Sequence, residues 1–115
     1  MTMSTNRTFN LQDRLEDFAV LVIRASEGMP STQAGRLLSD QLLRAGTSPA
    51  LHYGEAQGAE SKRDFVHKMK VALKELRESH AALRIIQKAG LLQDSGLLEN
   101  VRKECSEMVA ISKRV

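Results

Sequence analysis

Tryptophan is absent from this chain, and aromatic residues of any kind make up only 3% of it. Phe9, Phe18, Tyr53 and Phe65 are the whole set. So few rings point to a leucine-rich, aromatic-poor core, which suits helices packed on helices. There is one cysteine, Cys105, which cannot close an internal disulfide; a reducing, cytoplasmic setting is expected. The longest apolar runs, such as Phe18 to Ile23, are far too short to span a bilayer. The opening "MTMSTNRTFN" has no apolar stretch, so no secretory signal is expected. Prolines number two, and no segment alternates apolar and polar residues as a half-buried strand does.

What is present is helical periodicity. The chain has 115 residues, one domain's worth, with 42% apolar and 27% charged residues. Leu11, Leu15, Phe18, Val22 and Ala25 recur at spacings of four and three, and Asn10 is a suitable N-cap for a helix over 10–27. Gly28 and Pro30 stop it. Ser31 or Thr32 opens a second helix to about Gln57, its stripe carried by Leu37, Leu38, Leu42 and Ala45. Pro49 removes a backbone donor and crowds the preceding turn, so a kink or break is expected near 46–49. A third helix runs over 61–89, with Phe65, Met69, Ala72, Leu76, Ser79, Leu83 and Ile86 in a seven-residue repeat, ended by Gly90. A fourth, over 95–113, starts at Asp94 or Ser95 and buries Leu97, Val101, Cys105 and Met108, with Leu91 and Leu92 stapling its first turn. Four amphipathic segments with short connections predict an all-α antiparallel up-down four-helix bundle, a single domain over 1–115 with residues 1–8 flexible.

The stretch "SPALHYGEAQGAESKRDF", Ser48 to Phe65, is the place to look for chemistry. Its glycines lack the Gly-Lys-Ser/Thr and the preceding strand of a phosphate loop. His52 and Glu55 share a helix face at i, i+3, but a di-metal bundle needs Glu-x-x-His pairs on two helices and further inward carboxylates. Here the order is reversed and helices one and four offer no matching ligands. The remaining reading is a helix corner capped by Ser61, with Asp64 at the capping-box position and the His52–Glu55 pair as a surface or interface contact. No metal and no cofactor are expected.

Charge is the other signal. The net charge of +3 is unevenly placed: residues 61–89 hold eight basic and three acidic groups, residues 1–60 five and seven. On a helical wheel with Phe65 at zero, Arg63, Lys70, Lys74, Arg77, Arg84 and Lys88 fall between about 100° and 180°, and Asp64, Glu75 and Glu78 between about 220° and 280°. Lys70–Lys74 and Arg84–Lys88 are like-charge pairs at i, i+4, which weaken a helix slightly rather than support it. The plain reading is a solvated face. The functional one is a stripe for a nucleic-acid backbone, or for a neighbouring subunit. Cys105 reads as a small buried hydrophobe, His67 as solvated and His80 as an edge-of-core residue.

One stretch carries a resemblance. "LLRAGTSPALHYGEAQGAESKRDFVHKMKVALKELRES" resembles the signature of a bacterial four-helix-bundle family that includes proteins encoded in intervening sequences of large-subunit ribosomal RNA genes, and it is similar to the accessory proteins of diversity-generating retroelements. Gln41, Arg44, Thr47, Ser48, Glu55, Ala56, Ser61, Asp64, Phe65, Lys68, Ala72, Leu73, Lys74, Glu75 and Glu78 carry the match, which runs from about Phe9 to Leu92 and weakens beyond. His52, Pro49 and the Ala81–Ala82 pair stand where relatives more often have Asn, Ile and an aromatic pair. The resemblance implies an antiparallel four-helix bundle assembled as a ring of five, with Arg44, Ser48, Glu55, Ser61, Asp64, Phe65, Lys68, Glu75 and Glu78 in structural roles and no catalytic residue. The expected function is a non-enzymatic, homo-oligomeric scaffold or adaptor, with a nucleic acid or a nucleic-acid enzyme as partner and no membrane. The alternative is a protein-interaction module without nucleic-acid affinity.

Overall fold

The structure, a computed structural model, describes residues 10–114. The expected flexibility of residues 1–8 falls outside the described residues. Four helices follow one another: α1 (Leu11–Glu27), α2 (Gln33–Gln57), α3 (Lys62–Ala89) and α4 (Ser95–Ser112). Each begins with the same device. Asn10, Thr32, Ser61 and Asp94 are N-caps in extended conformation, and each accepts a bond from the backbone N–H three residues on. That bond satisfies a donor the first turn leaves unpaired. At Ser61 the reciprocal half of a capping box is not made: Asp64 turns its carboxylate toward Lys68, 3.8 Å away. Gly90 ends α3 with φ 66°, a left-handed conformation that a residue with a Cβ resists.

The helices contact in ring order: α1 with α2, α2 with α3, α3 with α4 and α4 with α1. The diagonal pairs do not pack, which is the plan of an up-down bundle. The centre is filled by Leu15, Phe18, Val22, Leu42, Leu76, Leu83, Val101 and Met108, each 1% exposed or less. Burying side chains of this size contributes about 1.5–3 kcal/mol apiece before entropy is subtracted. Leu92 joins the same core from the α3–α4 connection, as the expected staple requires.

Two expectations need correction. Of the kink or break expected near Pro49, the break is not made: α2 is a continuous helix from Gln33 to Gln57. Pro49 is buried in the bundle, and the turn before it is tied by two hydroxyls, Thr47 Oγ1 donating to the Leu43 carbonyl and Ser48 Oγ to that of Arg44, both at 2.7 Å. Leu37, assigned to the buried stripe, is 60% exposed; Gly35, Leu42, Ala45, Gly46 and Pro49 occupy the inner face instead. Leu37 stands five residues from Leu42, about 140° around the helix, so it faces outward.

Candidate nucleic-acid interface

α3 is the longest helix, 28 residues, or about 42 Å at 1.5 Å per residue. The molecule's greatest extent is 44 Å, so α3 runs its full length. Its inner face is Met69, Ala72, Leu76, Ser79, Leu83 and Ile86, all buried. Ser79 is accommodated because its hydroxyl donates to the Glu75 carbonyl at 3.0 Å, the usual refuge of a buried serine in a helix.

The two charged flanks of α3 meet different fates. The acidic flank turns to α2. Arg44 reaches across and places Nη1 3.3 Å from Glu75 and Nη2 3.6 Å from Glu78, and it also donates to Gln41. Glu75 is largely buried there, and its carboxyl is pushed above its ordinary range, first by that burial and then by Glu78, against the opposing pull of Arg44 and His52. Further along, Lys68 sits 3.9 Å from Glu55 and 3.8 Å from Asp64. These are the residues that carry the family resemblance, and they line up along the α2–α3 contact. Ser48 and Ser61 serve the backbone in the same region, and Phe65 packs against the core's edge.

The basic flank has no such partners. Arg63, Lys70, Lys74, Arg77, Arg84 and Lys88 are all exposed, and among the described residues none lies within 4.0 Å of a carboxylate. Arg77 and Arg84 border a shallow groove toward α4, with His80, Ala81, Ser106 and Val109; Lys70, Lys74 and Arg77 border another around Leu73. The acids of α3 are thus spent on α2, and the cations form an uncompensated row on the outside.

His52 and Glu55 lie together, Nδ1 to Oε1 3.9 Å, with the Lys68 ammonium equally close to the same oxygen. A fixed ammonium repels a metal cation, and among the described residues no group of three His, Cys, Asp or Glu side chains could hold one. Cys105 is fully buried, its Sγ 3.4 Å from the Leu76 carbonyl, and burial pushes its thiol up to about 12. His67 is exposed and His80 half-buried. Sequence reasoning missed Arg14, whose Nη2 bonds both oxygens of Glu104 and Oε1 of Glu107 at 2.8–3.0 Å, clamping α1 to α4. The Glu104–Glu107 pair at i, i+3 was the available signal; which helix would supply its cation was not.

Fold and site together define a small antiparallel four-helix bundle with one unneutralised basic face. Residues 7–114 match the 23S rRNA-intervening sequence protein family, and the chain belongs to that family. The match includes α4, beyond the Leu92 limit of the strong resemblance. A crystal structure of a protein of unknown function from the S23 ribosomal protein family of Bacteroides thetaiotaomicron is similar, with 27% identity over 90% of this chain and 94% of that one and a TM-score of 0.79. No curated protein matches the chain. Among the described residues, no helix is long and apolar enough to cross a membrane.

Proposed function

We propose that this protein is a non-enzymatic, self-associating adaptor of the cytoplasm whose α3 stripe contacts the backbone of RNA or DNA. The observation that carries the reading is the asymmetry of α3: its acids are paired on α2 while six exposed cations have no carboxylate partner among the described residues. Phosphates supply what the stripe lacks. With no aromatic among the six, contacts go to phosphates rather than to bases, so binding is weakly sequence-selective and falls steeply with salt. The family's description ties its members to an intervening sequence of 23S rRNA, which makes RNA the first probe. Self-association, as the ring of five that the family resemblance implies, belongs to the same reading. No catalytic chemistry, cofactor or metal is assigned: the Lys68 ammonium stands 3.9 Å from Glu55, and the one thiol is buried.

The second reading, a protein-interaction module without nucleic-acid affinity, draws support from exposed apolar side chains on α2 and α3, Leu37 at 60% and Ile85 at 52%. Fluorescence anisotropy on single- and double-stranded RNA and DNA separates the two. The wild type should bind at low salt, and Lys70→Glu, Lys74→Glu, Arg77→Glu should weaken it at least tenfold. A wild type that binds nothing, or a folded variant that binds equally well, overturns the nucleic-acid reading.

A further inference from the structure

The outer face of α1 mirrors the α3 stripe with opposite sign. Val20, 45% exposed, stands at its centre with Ile23, 39% exposed, beside it. Around Val20 lie Asp17 at i−3, Glu16 at i−4, Asp13 at i−7 and Glu27 at i+7, all exposed and, among the described residues, none within 4.0 Å of a cation. Arg24 is the one cation on this face; Arg14 is turned to α4.

On α3 the corresponding centre is Ala81. It has Lys74 at i−7, Arg77 at i−4, Arg84 at i+3 and Lys88 at i+7, with Ile85, 52% exposed, at i+4; the carboxylate of Glu78 at i−3 is drawn toward Arg44 of α2, 3.6 Å away. Three shallow grooves meet at Ala81, because a methyl group there is flanked by long side chains. One surface is an apolar ridge set among carboxylates, and the other an apolar notch bordered by cations on the side away from α2. Residues three, four and seven apart share one helix face, so both patterns are coherent surfaces rather than sequence coincidences.

We propose that α1 of one copy docks its Val20 ridge on the Ala81 notch of α3 in a second copy. Charge complementarity selects this occupant, since α1 against α1 would press carboxylates together and α3 against α3 would do the same with cations. A two-fold contact between like faces is therefore disfavoured, and the interface is head-to-tail. α1 and α3 are diagonal in the bundle and do not pack on each other, so both faces are free in every copy. Such a contact closes into a ring or extends as a chain according to the rotation between copies, and it permits an odd number of subunits. The inference stands without the nucleic-acid reading, but it adds a consequence: the carboxylates of α1 and the phosphates of a nucleic acid are alternative anions for one row of cations, so the two compete.

Light scattering after size exclusion, without nucleic acid, provides the test on three proteins of verified helix content. These are the wild type, the ridge variant Glu16→Lys, Asp17→Lys, Glu27→Lys, and the stripe variant Lys74→Glu, Arg77→Glu, Arg84→Glu. The wild type should form a concentration-dependent assembly. Each variant alone should run near the 12.8 kDa monomer. An equimolar mixture of the two variants should assemble again, because the reversed ridge now fits the reversed stripe. A wild type that is monomeric throughout, variants that keep the wild-type mass, or a mixture that stays monomeric overturns the docking. A single-stranded RNA oligonucleotide then reads competition alone. It should lower the wild-type mass per protein and bind the ridge variant, whose stripe is intact, at least as tightly as the wild type. RNA bound with no loss of assembly overturns the competition and leaves the docking result standing.

Discussion

Gly46 lies against Val22 so closely that a Cβ at Gly46 would sit 2.6 Å from Val22 Cγ2 and 2.8 Å from Cγ1. Among the glycines of α2, Gly46 comes nearest to a side chain of α1. In a helix interior alanine is favoured over glycine by about 1 kcal/mol, whereas overfilling a packed core costs about 1–3 kcal/mol. Packing should win. Gly46→Ala is predicted to lower the unfolding free energy by roughly 1 kcal/mol, and Val22→Ala in the same chain should recover part of the loss, a positive coupling in a double-mutant cycle. Urea denaturation reads both. A raised midpoint for Gly46→Ala would mean the two helices are not held this close.

Gly90 makes the opposite case. A Cβ there would meet nothing within 4 Å, but φ is 66°. Gly90→Ala should therefore lose about 1 kcal/mol through the backbone alone, while Gly90→Asn, which tolerates the left-handed region, should lose less. Equal losses in the two variants would show that space, not conformation, decides.

Two carboxylates give stability opposite dependences on pH. Arg14 holds Glu107 below its ordinary value of 4.5 through a side-chain hydrogen bond, so the stability Glu107 contributes is present above that value and is lost as pH falls. Glu75 is raised above 4.5 by burial and Glu78, so its contribution is present below that value and is lost as pH rises through its raised range. Glu75→Gln should thus improve relative to the wild type as pH climbs from about 4 to 7, and Arg14→Gln should flatten the decline on acidification. Chemical denaturation at several pH values checks both signs. A Glu75→Gln difference independent of pH would contradict the burial described for that carboxyl.

The helices were legible because local signals agreed. Asn10, Thr32, Ser61 and Asp94 each had the right side chain for a cap, immediately ahead of an apolar repeat, and the observed starts at 11, 33, 62 and 95 follow from them. At Pro49 the rule for a lone helix allows a kink or a break, and the buried proline is carried through without the break. Leu37 misled because it lies about 140° around the helix from Leu42, too far to share its inner face. In the candidate site, the wheel found the cationic row without help. What it could not find were pairings between helices. Arg14 with Glu104 and Glu107, and Arg44 with Glu75 and Glu78, depend on which helices become neighbours and at what level. Those pairings are also what separates a neutralised flank from a free one.

Cys105 should be chemically silent in the folded protein. Burial raises its thiol to about 12, and only the thiolate is an effective nucleophile. An aromatic disulfide reagent near pH 8 is predicted to leave it unmodified until denaturant unfolds the bundle. Rapid modification under native conditions would place Cys105 at the surface.

The central claim is that the α3 stripe meets phosphates, and the salt dependence of RNA binding tests it most directly. Plotted as log affinity against log salt, binding should fall linearly, with a slope of about −0.7 for each single-strand phosphate contact or −0.9 in a duplex. Neutralising the stripe one residue at a time, as Lys70→Gln, Lys74→Gln and Lys88→Gln, should reduce that slope by about 0.7 to 0.9 per residue removed, while Lys103→Gln on α4 leaves it unchanged. A slope near zero, or one that ignores the stripe and responds to Lys103, would contradict the account.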